Sequence, residues 1–106
     1  RVYGTFVRLF ERYVRAGVLP VHKAVQKVTS LPAARLRLSV KGRLQPGMDA
    51  DVNVFALEGL HEAGTYQQPR QFAQGMEHVF VAGEPAILDG KRRPSFCGKV
   101  LERVKF

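Results

Sequence analysis

The chain has 106 residues, 45% of them hydrophobic, and 17 Lys and Arg against 9 Asp and Glu give a formal net charge of +8. That length carries one domain with a modest core and is too short for a complete (β/α)8 barrel, which typically takes about 250 residues. A single cysteine, Cys97, excludes an internal disulfide framework, no apolar run approaches the roughly 20 residues of a bilayer span, and the expected setting is cytoplasmic.

Thr5 reads as an N-cap, followed by Phe6, Leu9, Phe10, Tyr13 and Val14 at the spacing of one apolar helical face. Gly17 reads as the C-cap. Arg8, Glu11, Arg12 and Arg15 take the polar side, with Glu11 and Arg15 at the favourable i, i+4 spacing. Pro20 seeds a second helix with Val21, Ala24, Val25 and Val28 on one face, ending near Thr29. Ser30, followed by Leu31-Pro32, reads as a fresh N-cap for a short third helix through Ala33, Ala34, Leu36 and Leu38.

From Lys41 the pattern changes. Lys41-Gly42-Arg43-Leu44 is strand-like, Gln45-Pro46-Gly47 is a turn in which proline presets one torsion and glycine accepts a positive one, and a strand resumes at Asp51. Alternation puts Val52, Val54 and Ala56 on one face and Asp51, Asn53 and Phe55 on the other. Periodicity is lost between Leu57 and Gly75, where glycine, Pro69 and four glutamines predict a long surface loop. Strand character returns at His78-Val79-Phe80-Val81, turns at Ala82-Gly83-Glu84, runs through Pro85-Ala86-Ile87-Leu88 and turns again at Asp89-Gly90, which is a β-hairpin. The stretch from Gly98 to Phe106 is a final strand or a tail.

The stretch KGRLQPGMDADVNVF resembles the G-x-[IL]-x-P-G-x-x-A-D-[LV]-x-[VI]-[FL] segment of the amidohydrolase superfamily. Three further pieces agree in order: Tyr3-Gly4-Thr5-Phe6 with Arg12-Tyr13-Val14, then Ala24-Val25 with Val28-Thr29-Ser30-Leu31-Pro32-Ala33, and finally Val79 to Gly90. The branch most similar is that of D-aminoacylases and N-acyl-D-amino-acid deacylases. The resemblance implies an α+β chain in which residues 1–39, two or three helices, match the end of a TIM-barrel-like catalytic domain. Residues 40–106 would then form the later part of an accessory β-sandwich. It implies the C-terminal piece of a longer metal-dependent enzyme that binds zinc and cleaves the acyl group from an N-acyl-D-amino acid. The partners implied are the barrel and the N-terminal sandwich strands, and without them self-association through open strand edges is expected.

Hydrolysing an amide with a metal requires ligands that hold the ion, an open position for water, and a carboxylate that moves protons. The resemblance places those groups in a His-x-His pair, in further ligands on the middle strands of the barrel and in an Asp on its last strand, and this chain carries none of that set. His22, His61 and His78 form neither a His-x-His nor an HExxH motif. They read as a residue on the polar side of a helix, a solvent-facing loop residue and a strand start. Asp49 and Asp51 lack the further oxygen ligands of a calcium loop and read as carboxylates tying down a turn through backbone N–H groups. Cys97 has no partner histidine at a recognisable spacing and reads as a small hydrophobe. No metal ligand and no catalytic residue is therefore expected within the chain.

The resemblance assigns one substrate-binding residue. Arg1 stands where the family carries an arginine that pairs with the α-carboxylate of the substrate, a task suited to a planar, permanently charged fork. A competing reading from composition is a basic binding module contacting nucleic acid or another acidic surface through Lys91, Arg92, Arg93, Lys99, Arg103 and Lys105, which would bind in a salt-sensitive way.

Overall fold

Helix α1 (Thr5–Arg8) widens without a break into a π-helical turn over Leu9–Val14. In the computed structural model, which describes residues 2–94 and 96–102, Thr5 is the first helical residue and the cap position belongs to Gly4. That shifts the expected start by one residue. Gly4 is pressed against the next layer of the fold: a Cβ there would lie 2.6 Å from Cγ of Glu62.

The π turn also moves the buried face. Arg15 N–H bonds to the Phe10 carbonyl at 3.2 Å and Val18 N–H to that of Tyr13 at 3.0 Å, each five residues back. The expected stripe assumed 3.6 residues per turn throughout. Phe10 is buried as expected and Val7 joins it, while Phe6 and Tyr13 stay 68% and 48% exposed. Gly17, at φ +75°, ends the helix as expected, its N–H bonded to the Val14 carbonyl at 3.0 Å.

Helix α2 (Val21–Val28) begins after Pro20, which is extended at φ −61° and ψ 144°. It buries Ala24 completely against the first helix. Helix α3 (Ser30–Arg35) follows almost at once. Thr29, not Ser30, holds its cap position, and the Thr29 hydroxyl donates back to the Val25 carbonyl at 2.6 Å. The helix stops short of Leu38 because Arg37 turns left-handed at φ 58°. Arg37 N–H then bonds to Ala34 O and Leu38 N–H to Ala33 O, the paired bonds of a Schellman motif.

The turn at Gln45-Pro46-Gly47 is present, with Met48 N–H on the Gln45 carbonyl at 3.2 Å and Gly47 at φ +88°. Its first arm is not a strand. Gly42, at φ +82°, breaks the extension, and a Cβ there would lie 2.8 Å from both the Thr29 carbonyl oxygen and the Ala33 methyl.

Strands β1 (Val52–Phe55), β2 (Met76–Val81), β3 (Glu84–Leu88) and β4 (Lys91–Arg92) form one antiparallel sheet in that order. Ala82-Gly83 and Asp89-Gly90 both have positive φ at each residue, the signature of two-residue type I′ hairpins. The second hairpin adds β4, a strand of two residues. A register shift between Val54 and Phe55 brings Phe55 to the partly buried side with Val52 and leaves Val54 41% exposed. The simple alternation expected there is thus broken by one bulge.

Between β1 and β2 the chain is more ordered than a surface loop. A 3-10 turn (Leu57–Gly59) leads into Leu60, which is 1% exposed and joins Val7, Phe10 and Ala24 in the core. His61 and Gln74 then pair as an isolated antiparallel bridge, N–H to carbonyl in both directions at 3.0 and 2.8 Å. Among the described residues, the last segment from Phe96 to Glu102 has no regular structure.

Candidate functional site

Two polar clusters and one apolar groove organise the surface. The first cluster joins the π turn to the segment after β1. Glu11 Oε1 lies 2.7 Å from His61 Nδ1, and Glu11 Oε2 accepts from the Glu62 backbone N–H at 2.7 Å. The expected partner Arg15 is present at 3.8 Å, but its guanidinium also donates to the carbonyls of Glu58 and Leu60. Arg8 pairs with Glu62 at 3.6 Å. The polar side of the first helix is therefore a docking surface for residues 58–62. The bond from the Glu62 N–H, then that from His61, hold the Glu11 carboxyl below its ordinary value.

The second cluster is centred on Lys41, whose Nζ lies 2.9 Å from Asp49 Oδ2 and 2.7 Å from Asp51 Oδ2. Asp51 Oδ1 accepts the Ala82 N–H at 2.9 Å, and Gly83 N–H reaches the Ala50 carbonyl at 3.0 Å. The expected backbone N–H bond is made by Asp51 alone of the two, and to Ala82 in the β2–β3 turn rather than to its own turn; Lys41 holds both carboxylates instead. The Lys41 ammonium, then the Ala82 N–H, hold the Asp51 carboxyl low, and Asp51, then Asp49, hold Lys41 high.

The groove, of about 690 Å³, runs between the first two helices and β1. Phe6, Phe10, Val25, Val28, Phe55 and Met76 give it an apolar wall, with His22 and Asn53 at its polar margin. Thr29, Ser30, Asp49 and Asp51 also line it, the two carboxylates engaged by Lys41.

His22 is exposed on α2, as expected. His61 is not simply solvent-facing, because Glu11 fixes it. His78 lies in β2, where its Nδ1 accepts the Asp89 N–H at 3.1 Å. Cys97 is partly exposed, its nearest polar partner the Glu84 carbonyl oxygen at 4.0 Å. Among the described residues no three His, Cys, Asp or Glu side chains stand where they could hold a metal ion. Zinc therefore does not fit the residues present here. Arg1 lies outside the described residues, as do Arg103 and Lys105 of the basic reading. Lys91 and Arg92 are exposed on β4, beside Arg93. No helix among the described residues is long and apolar enough to cross a membrane.

What the sequence reading missed is the pairing of Glu11 with His61, fifty positions apart. No local spacing signals a contact made only when residues 58–62 lie on the helix.

The fold matches known structures closely. A crystal structure of a D-aminoacylase superposes with a TM-score of 0.86 at 35% identity, covering 93% of this chain and 21% of that one. An N-acyl-D-glutamate deacylase from Bordetella bronchiseptica, crystallised with zinc and a phosphonate inhibitor, gives 0.74 at 33% identity over 83% of this chain and 20% of its own. In sequence, the D-aminoacylase of Alcaligenes xylosoxydans is 36% identical over 105 residues, 98% of this chain. The N-acyl-D-glutamate deacylase of the same organism is 42% identical over 84 residues, 78% of this chain. The chain spans about a fifth of the length of these relatives, 22% and 17% respectively. The amidohydrolase family model matches residues 2–87, and on that match and these likenesses the chain belongs to the amidohydrolase family.

Proposed function

We propose that this chain is the C-terminal part of a D-aminoacylase-like amidohydrolase, which hydrolyses the amide bond of N-acyl-D-amino acids, and that its own role is to support and position. The observation that carries this reading is the D-aminoacylase likeness over nearly the whole chain, TM-score 0.86 at 35% identity. The helices then close a catalytic barrel, and the sheet belongs to an accessory sandwich completed by strands from elsewhere in the longer protein. Zinc is held by residues outside this chain, which alone is inactive.

Within that protein the first residues have one direct task. Arg1 pairs with the α-carboxylate of the substrate through two parallel N–H bonds. The helix start that follows is tied to the segment after β1: the Tyr3 ring lies 5.5 Å from that of Phe72, Gly4 is seated on Glu62, and Arg8 pairs with the same Glu62. The apolar groove is covered by the rest of the longer protein, and in its absence the chain associates with itself.

The test is to assay the longer zinc-loaded protein and the 106-residue chain for amine release from N-acetyl-D- and N-acetyl-L-amino acids. D-selective turnover by the longer protein alone is expected, with Arg1→Lys raising KM by about tenfold or more through loss of the bidentate pair. Absence of D-selective hydrolysis in the longer protein, or turnover by the isolated chain, would overturn the reading.

A further inference from the structure

The loop between His61 and Gln74 leaves and rejoins the body of the protein at a single bridge, whose two backbone bonds join His61 to Gln74. One side chain at that bridge reaches the helical layer: His61, through Nδ1 to Glu11 at 2.7 Å. Glu11 grips the next residue as well, accepting the Glu62 N–H with its other oxygen. The loop beyond carries Tyr66, fully exposed, and Phe72, 71% exposed with its ring tilted at 53° to that of Tyr3.

The charges facing the pair are Arg8 and Arg15 from the helix and Glu62 from the loop, with Glu58 contributing its carbonyl. Glu11 and Glu62 balance Arg8 and Arg15, so a proton on His61 adds an unmatched positive charge. That charge sits closer to Glu11 than the Arg15 guanidinium does, 2.7 against 3.8 Å. Glu11 stays ionised across the range in which histidine changes charge, about pH 5 to 8.

We propose that Glu11 and His61 form a pH-sensitive latch at the root of the 61–74 loop, drawn tight when His61 is protonated and loosened when it is neutral. Neutral His61 can still donate from Nδ1, so the loosened state keeps a hydrogen bond and loses the ionic contribution. With the His61 side chain 55% exposed, the change is that of a solvent-screened pair, roughly two- to fivefold in the opening equilibrium. This proposal is independent of the catalytic reading, because its readout is the loop itself.

The test is amide hydrogen exchange on the longer protein, read at residue resolution by mass spectrometry and corrected for intrinsic rates, at about pH 5.5 and about pH 8. The amides of His61, Glu62 and Gln74 should be better protected at the lower pH by that factor, while amides of the β2–β3 hairpin change less. In His61→Gln, which leaves Glu11 bonded to Glu62 and Arg15, the pH dependence at these three amides should vanish with the hairpin still protected. Equal protection at both pH values in the parent chain, or an unchanged pH dependence in His61→Gln, would overturn the latch.

Discussion

Phe10 and Phe55 meet edge to face where the helices join the sheet, ring centroids 5.8 Å apart and planes inclined at 69°. Phe10 comes from the π turn and is 6% exposed; Phe55 comes from the bulge in β1. Two local irregularities therefore aim the rings at each other, and edge-to-face pairs are favoured over parallel stacks by the ring quadrupole. Phe10→Ala is expected to cost about 3–5 kcal/mol, from lost burial and the cavity left behind. Urea denaturation should show the midpoint falling with little change in slope.

Gly75 separates two kinds of glycine in this fold. At φ +103°, a Cβ there would lie 2.1 Å from the Gly59 carbonyl oxygen and 2.8 Å from Leu60 Cα, both backbone atoms. At Gly90, φ is also positive, but the space is open. Gly90→Ala should therefore cost only the torsional penalty, about 1–2 kcal/mol, whereas Gly75→Ala should exceed it because backbone must move. Thermal melts of the two variants side by side check the order, and an equal loss would contradict the packing at Gly75.

The Lys41 cluster sets an expectation for pH. Asp51 has a lowered pKa in the folded chain, so its contribution is complete above the ordinary aspartate value of about 3.9 and is lost as pH falls through the lower folded value. Lys41 has a raised pKa, so its contribution is complete below about 10.4 and is lost as pH rises through the higher folded value. Asp51→Asn should flatten the acid limb of the stability curve, and Lys41→Met should flatten the alkaline limb. Melting temperatures across pH 2 to 12, in steps of about one unit, would reveal the two limbs separately.

Much of the fold is legible in the sequence. Gly17, Pro20 and the Gln45-Pro46-Gly47 turn have torsional requirements met within a few residues, and each stands where its chemistry puts it. The hairpin through Ala82-Gly83 is equally local. Two of the four segments that carry the family resemblance contain such turns, Gln45-Pro46-Gly47 and Ala82-Gly83. Leu60 is not legible in this way: it sits in a stretch without periodicity, yet is among the most buried residues. A single apolar side chain between glycines gives no repeating signal, and it is buried against Val7, Phe10 and Ala24, all remote in the chain.

The sequence by itself determined the three helical stretches, the hairpin through Ala82-Gly83 and the turns at Gly17, Gln45-Pro46-Gly47 and Asp89-Gly90, since each depends on neighbours a few positions apart. Tertiary structure decided which face of the first helix is buried, the bulge that turns Phe55 inward, and the partnership of Glu11 with His61. Those follow from how a π turn, a register shift and a buried leucine fit together in space, and distances between residues remote in the chain exist only once it has packed.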